Sequence, residues 1–481
     1  MKKNSVLSYY NKLALPAKAS LWFMLMSVMQ KGIQFLITPV YTRLLTTEEY
    51  GYYSIYVTWQ SILMIIATLN LSAGVFYNGM MKFENDRKTF ISSMQGLANV
   101  CTIVVFVIIF AFIKPLSTFI GLDTIIIIGM FISFLLYPSF DYWSQYNRYI
   151  FNYRPLILWT VLFALVSSGL SVAFIFIIPE KKYAVILGTI VTQIVWGGIF
   201  YIKTLIEGKG LYKKEYWVFA LKFNIPLIPH YLSFIILGQS DRVMIKLFCG
   251  TDAVGIYSLS YTVSLMLSIV VNAITSTFAP WTYQKLKKKD ANSVKKCTNM
   301  VLIMLAAMVI LCVLIAPELI KILGTEEYLQ AMWIIPPVML SCFFTMVYSL
   351  FANIEFYYEK SIYVMTASVI AAIANIILNA IFIPIYGYIA AGYTTLVCYI
   401  LLALIHYLFM KKIVRNWTEG KIYDVKFITL LSVAISVISI LLTFTYKFIA
   451  IRYIIITFLL IVAIIFRKKI IAIVKILKEK D

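Results

Sequence analysis

Runs of predominantly apolar residues, broken by short polar stretches, recur along the chain from Ser20 to Phe466. A helix needs roughly 20 such residues to cross the hydrocarbon core of a bilayer. The runs are rich in Ile, Leu and Phe and lack period-2 alternation, so helices rather than barrel strands satisfy their backbones in lipid. The pattern predicts fourteen spans: 20–42, 52–76, 90–113, 124–147, 155–179, 183–203, 221–245, 254–279, 299–320, 331–352, 362–383, 388–410, 427–446 and 449–466. No connection between them has room for a soluble domain. The first run flows into the second without a small-residue cleavage site and reads as a retained helix, not a signal peptide. The fold class is all-α, a polytopic membrane protein.

Composition agrees. The 481 residues are 62% hydrophobic and 13% charged, against about a quarter charged in soluble chains. The formal charge of +21 would suit nucleic acid, but its distribution does not. With the N-terminus placed in the cytoplasm, 32 of the 42 Lys and Arg residues fall on the cytoplasmic side and 8 outside, with two inside spans. That asymmetry is the positive-inside rule, and it puts both termini in the cytoplasm. The clusters at Lys285–Lys289 and Arg467–Lys469 read as orientation signals and contacts to anionic membrane lipids. The six cysteines show no metal-ligand or disulfide spacing.

EEYGYYSIYVT (Glu48–Thr58) and DAVGIYSLSYT (Asp252–Thr262) match at an offset of 204 residues, pairing Gly51 with Gly255 and Tyr53 with Tyr257. A weaker echo pairs Lys114–Gly121 with Pro317–Gly324. The copies begin the second and eighth spans, so six spans separate them and both halves share one orientation. The expected architecture is two six-helix lobes in parallel repeat, residues 1–216 and 217–412. Two extra helices and a basic cytoplasmic tail follow at 413–481. Such repeats place a binding site between the lobes near the midplane.

Ionisable residues inside spans are functional candidates, costing about 2.5–3.5 kcal/mol each on insertion scales. Ser27, Lys31, Gln34 and Thr38 fall on one face of the first span, expected to line a hydrated cavity. In the seventh, Pro226 and Pro229 should bend the helix, with His230 after the bend and Asp241 and Arg242 toward the outer end. The eighth carries Tyr257, Tyr261, Ser264, Ser268, Asn272 and Thr275 at helical spacing, again one face. Asp141, Gln145 and Arg148 form a stripe in the fourth span, where Arg148 reads as snorkelling to the interface. Glu355 in the tenth is a counter-ion candidate at a helix end that Asn353 and Tyr357 mark as wet. Of the two histidines, His406 reads as interfacial and His230 as the better substrate or pH-titrating candidate. Together these faces describe a polar, partly cationic, tyrosine-lined cavity; cations suit phosphate, and tyrosine and amides suit sugars.

PVYTRLLTTEEYGYYSIY (Pro39–Tyr56) and, more specifically, IPLIPHYLSFIILGQSDRVMIKLFCGTDAVGIYSLSY (Ile225–Tyr261) resemble signatures of bacterial polysaccharide or O-antigen flippases of the Wzx type. These belong to the multidrug/oligosaccharidyl-lipid/polysaccharide exporter superfamily. The resemblance implies alternating-access transport of undecaprenyl-diphosphate-linked oligosaccharide across the cytoplasmic membrane, for capsule or related surface polysaccharide. It also implies a cationic cavity, for which Lys31 and Arg242 are the in-span basic candidates, and possible partnership with polysaccharide polymerase machinery.

The substrate-binding candidates are Lys31, Gln34, His230, Arg242, Tyr257, Tyr261 and Asn272. Asp141, Asp241 and Glu355 are the coupling-ion candidates. No cofactor is expected: there is no phosphate-binding loop for ATP, so any drive comes from an ion gradient, the membrane potential or downstream consumption. Other readings are a lipid II flippase, disfavoured because Lys31 is the only mid-membrane cation of the first lobe, and a drug or cation antiporter, disfavoured by the span count and Lys31. A membrane glycan polymerase would need a large outer loop. None of the outer connections exceeds about a dozen residues, so the chain reads as no enzyme.

Overall fold

A computed structural model describes residues 15–416 and 421–465, and among them every regular element is a helix. The basic cluster Arg467–Lys469 lies outside the described residues. The first unit contains α1 (Leu15–Leu44), α2 (Thr47–Thr68), α3 (Gly74–Lys82), α4 (Arg87–Ala111), α5 (Ile113–Ile120), α6 (Thr124–Leu136), α7 (Pro138–Tyr149), α8 (Tyr153–Ile177), α9 (Lys181–Gly208), α10 (Lys214–Asn224) and α11 (Ile228–Cys249). Helix α12 (Thr251–Lys287) begins there. The second continues with α13 (Ala291–Leu314), α14 (Ala316–Leu323), α15 (Ile335–Tyr357), α16 (Ser361–Tyr386), α17 (Ile389–Ile413), α18 (Val425–Thr443) and α19 (Ile449–Ile465). The described residues up to Gly255 form one compact unit and those from Ile256 another.

Twelve helices among the described residues are long and apolar enough to cross a membrane. The second and fourteenth predicted spans are helices outside that set. Helix α2 carries Glu48, Glu49 and four tyrosines in its first turns, and α19 has 17 residues. Local chemistry sets where α2 starts. Thr46 accepts from the Glu49 amide at 3.2 Å while Glu49 accepts from the Thr46 amide at 2.9 Å, a reciprocal cap with its carboxylate at the positive helix end. Left-handed Leu69 and Asn70 stop the helix, at φ 53° and 49°.

Proline divides two spans. Pro138 separates α6 from α7, and the Gln95 side chain donates to the nearby Leu135 carbonyl at 2.9 Å. Pro226 breaks the seventh span into α10, a 3-10 turn at Ile225–Leu227, and α11, where Pro229 sits in the first turn; a proline there loses no helical bond. The weaker repeat echo is a real element pair. Helices α5 and α14 each have 8 residues, each follows a long span, and each ends at a glycine, Gly121 and Gly324.

Within the first unit α9 packs on α8, α6 and α4, and α2 on α4 and α11. Phe76, Phe90, Tyr142 and Tyr216 lie at the centre of a buried aromatic cluster joining α3, α4, α7 and α10. Within the second, α17 is the hub, packed against α15 and α16, while α18 covers α13 and α15.

Candidate functional site

In the first unit, α1 turns Ala19 and Met26 inward and packs mainly on α8. Ser27 and Gln34 are exposed, Lys31 is half-buried and Thr38 is buried, so the predicted stripe leaves the surface at its C-terminal end. Thr38 donates to the Gln34 carbonyl at 2.9 Å. Beyond its N-terminal end, the Arg148 guanidinium of α7 lies 5.2 Å from the Phe23 ring of α1. Asp141 and Gln145 share its helix half-buried, and Gln145 accepts from the Tyr77 hydroxyl.

On α11, Asp241 and Arg242 are both buried. Arg242 Nη1 donates to Gln239 Oε1 at 3.0 Å, and that oxygen also accepts from Thr58 of α2 at 3.4 Å. The basic group is therefore held by an amide that ties two helices together. His230 is half-buried, edge-on to Phe234 at 5.1 Å, and its Nδ1 is buried with no hydrogen-bond partner among the described residues. Gln60 donates to Gln193 at 2.8 Å and to Tyr56 at 2.9 Å, linking α2 to α9. Sequence reasoning missed these two amides, although amides inside apolar runs were the available signal.

The second unit holds a partly open cavity of about 220 Å³. Tyr261, Ser264, Ser268 and Asn272 of α12 line one wall, and Ser341, Thr345 and Tyr399 of α15 and α17 line another. Four of the six residues of the predicted α12 face thus open onto one space. Tyr257 is buried, its hydroxyl donating to Tyr261 at 3.2 Å. The lining offers hydroxyls and one amide and carries no charge. Ser341 and Thr345 went unread although they stand one helical turn apart.

Glu355 and His406 are a correction. Glu355 does not share the exposure of its helix end and His406 does not reach the surface: both side chains are enclosed, 0% and 1% exposed, with Oε1 and Nδ1 2.8 Å apart. Tight packing of α15 on α17 buries positions that one helix's pattern places near water. Among the described residues no cluster of three His, Cys, Asp or Glu side chains is set to hold a metal ion.

Residues 17–285 match the model of a family described as polysaccharide biosynthesis protein. The chain belongs to that family. It is 26% identical over 372 residues to Lsg locus putative protein 1 of Haemophilus influenzae, covering 74% of this chain and 88% of the relative. It is 20% identical over 329 residues to the succinoglycan biosynthesis transport protein ExoT of Rhizobium meliloti, covering 63% and 62%. Its fold is that of solved transporters. It resembles the lipid II flippase MurJ in an inward closed conformation (TM-score 0.69, 14% identity, 94% of this chain and 99% of that one). It also resembles an inward-facing multidrug resistance MATE transporter (TM-score 0.59, 11% identity, 82% and 96%). This family member is a multi-pass membrane protein with an exporter fold.

Proposed function

We propose that this protein is a flippase moving undecaprenyl-diphosphate-linked oligosaccharide across the bacterial cytoplasmic membrane for surface polysaccharide biosynthesis. The observation that carries the reading is a polysaccharide-biosynthesis family match over residues 17–285 in a chain with a transporter fold. The site chemistry supports it. Buried Arg242 and half-buried Lys31 are cations suited to a diphosphate. The uncharged cavity bordered by Tyr261, Ser268, Asn272 and Tyr399 suits sugar hydroxyls and rings. Asp141, Asp241 and Glu355 are the candidates for a coupling ion. In this reading the protein is a transporter and no enzyme, works by alternating access between lobes 1–216 and 217–412, and has both termini in the cytoplasm. Surface polysaccharide polymerase machinery takes its product.

Deletion of the gene followed by analysis of lipid-linked sugars tests the proposal. Accumulation of an undecaprenyl-linked oligosaccharide on the inner leaflet supports it and names the sugar. Unchanged lipid-linked sugars with intact surface glycan reject it.

A further inference from the structure

The route proposed for substrate leaves Glu355 and His406 without work. The pair is enclosed between α15 and α17, and the second carboxylate oxygen, Oε2, is buried with no hydrogen-bond partner among the described residues. A carboxylate beside a neutral imidazole would leave net negative charge in an apolar interior, which is costly. One proton added to His406 removes that charge, leaving imidazolium beside carboxylate. The pair is therefore a one-proton site: neutral when loaded, singly negative when empty. The only bond made or broken is N–H or O–H, with water as the other proton carrier.

The site touches the cavity through rings. Tyr348 stacks on His406 at 5.6 Å and 21°, and on Tyr399 at 6.3 Å and 23°. Tyr399 lines the cavity opposite Ser268 and Asn272. An imidazolium attracts an aromatic face more strongly than a neutral imidazole does, so loading tightens this stack and emptying loosens it.

We propose that Glu355 and His406 form a proton-binding site, and that its loading is passed to the hydroxyl-lined cavity through Tyr348 and Tyr399. The proposal rests on the transporter reading for its purpose and on the buried pair for its chemistry. The elements around the pair also carry phenols and lysines. The phenols are Tyr348, Tyr399, Tyr407 and Tyr423. On the flanking helices, Lys295 of α13 is bridged to Asp424 at 3.2 Å and Lys412 of α17 lies 5.7 Å from the Tyr363 ring of α16. Lys296, Lys360 and Lys426 stand at or near the ends of α13, α16 and α18.

The chain has two histidines, so imidazole nitrogen NMR on the full-length protein in lipid nanodiscs reports on two rings, which His230→Gln assigns. The expected result is a one-proton transition of His406, removed or displaced in Glu355→Gln. Cys342 borders the cavity. In a background with the other cysteines replaced, its maleimide labelling rate, taken as the ratio of Glu355→Gln to parent, cancels the thiol's own pH dependence. That ratio should change several-fold across the His406 transition, and Tyr348→Leu should abolish the change while His406 still titrates. An invariant His406 signal overturns the proton site. Titration without any change at Cys342 overturns the link to the cavity. Neither measurement uses substrate, so either failure stands apart from failure of the flippase reading, which only the lipid-linked sugars decide.

Discussion

Gly51 and Gly255 each occupy the space that a side chain would take from the other's helix. A Cβ on Gly51 would stand 2.0 Å from the Thr251 carbonyl oxygen, and one on Gly255 2.1 Å from that of Thr47. Gly51 and Gly255 lie 204 positions apart in the sequence, as do Thr47 and Thr251, so the repeat meets itself through its own glycines, and Thr47 Oγ1 adds a hydrogen bond to Asp252 at 2.8 Å. Gly51→Ala and Gly255→Ala should each destabilise by about 1–3 kcal/mol, the range for overpacking. Gly198→Ala, in open space within a helix, should be neutral or stabilising by up to about 1 kcal/mol. Thermal unfolding of the three variants in one detergent checks the order.

Lys31 sits at mid-helix on a face that is largely unburied. Lys31→Ala should abolish surface glycan at unchanged protein abundance, while Lys31→Arg, which keeps the charge, should retain part of it. Glycan staining alongside quantitative immunoblotting measures both. Normal export by Lys31→Ala would remove the cationic cavity from the mechanism.

The cavity of the second unit makes a separate prediction. Ser268→Phe fills its lined space without touching a charge. Export should fall while thermal stability changes little, because the side chain enters an existing void. Equal losses of export and of folded protein would instead mean overpacking.

Arg452 of α19 is 3% exposed and donates to Glu318 Oε2 at 2.5 Å and to the Leu314 carbonyl at 3.2 Å. Arg452→Leu leaves that buried carbonyl without this donor and should cost about 1–3 kcal/mol. A lowered unfolding temperature, with protease cleavage appearing first near α19, is the expected result.

Asp123, between α5 and α6, has its carboxyl held below the usual carboxylate range, chiefly by the Tyr183 hydroxyl at 2.7 Å, with Tyr52 at 2.8 Å and Lys182 at 3.6 Å assisting. A depressed folded value stabilises above the unfolded value of about 3.9, and that gain is lost as pH falls through the folded value. The carboxyl is 48% exposed, so the contribution is under about 1 kcal/mol. The stability difference between wild type and Asp123→Asn should be flat from about pH 5 to 8 and shrink only below about pH 4.

Hydrophobic runs, charge asymmetry and the Gly51–Gly255 repeat were legible in the sequence because each depends on spacing along one chain. Bilayer thickness sets run length, and helical period sets faces such as Tyr261–Ser268–Asn272. Burial was not legible. Glu355 looked wet and His406 interfacial because their own helices are polar nearby. Packing of α15 on α17, across 51 residues of sequence, made them an enclosed pair. Tertiary structure likewise chose which part of the α12 stripe faces a cavity, since only a second helix supplies the opposite wall. The sequence alone determined a many-helix membrane protein with an internal repeat, because those properties follow from local composition and period. The three-dimensional fold decided which polar groups meet, because desolvation and hydrogen-bond partners are set by neighbours distant in the chain.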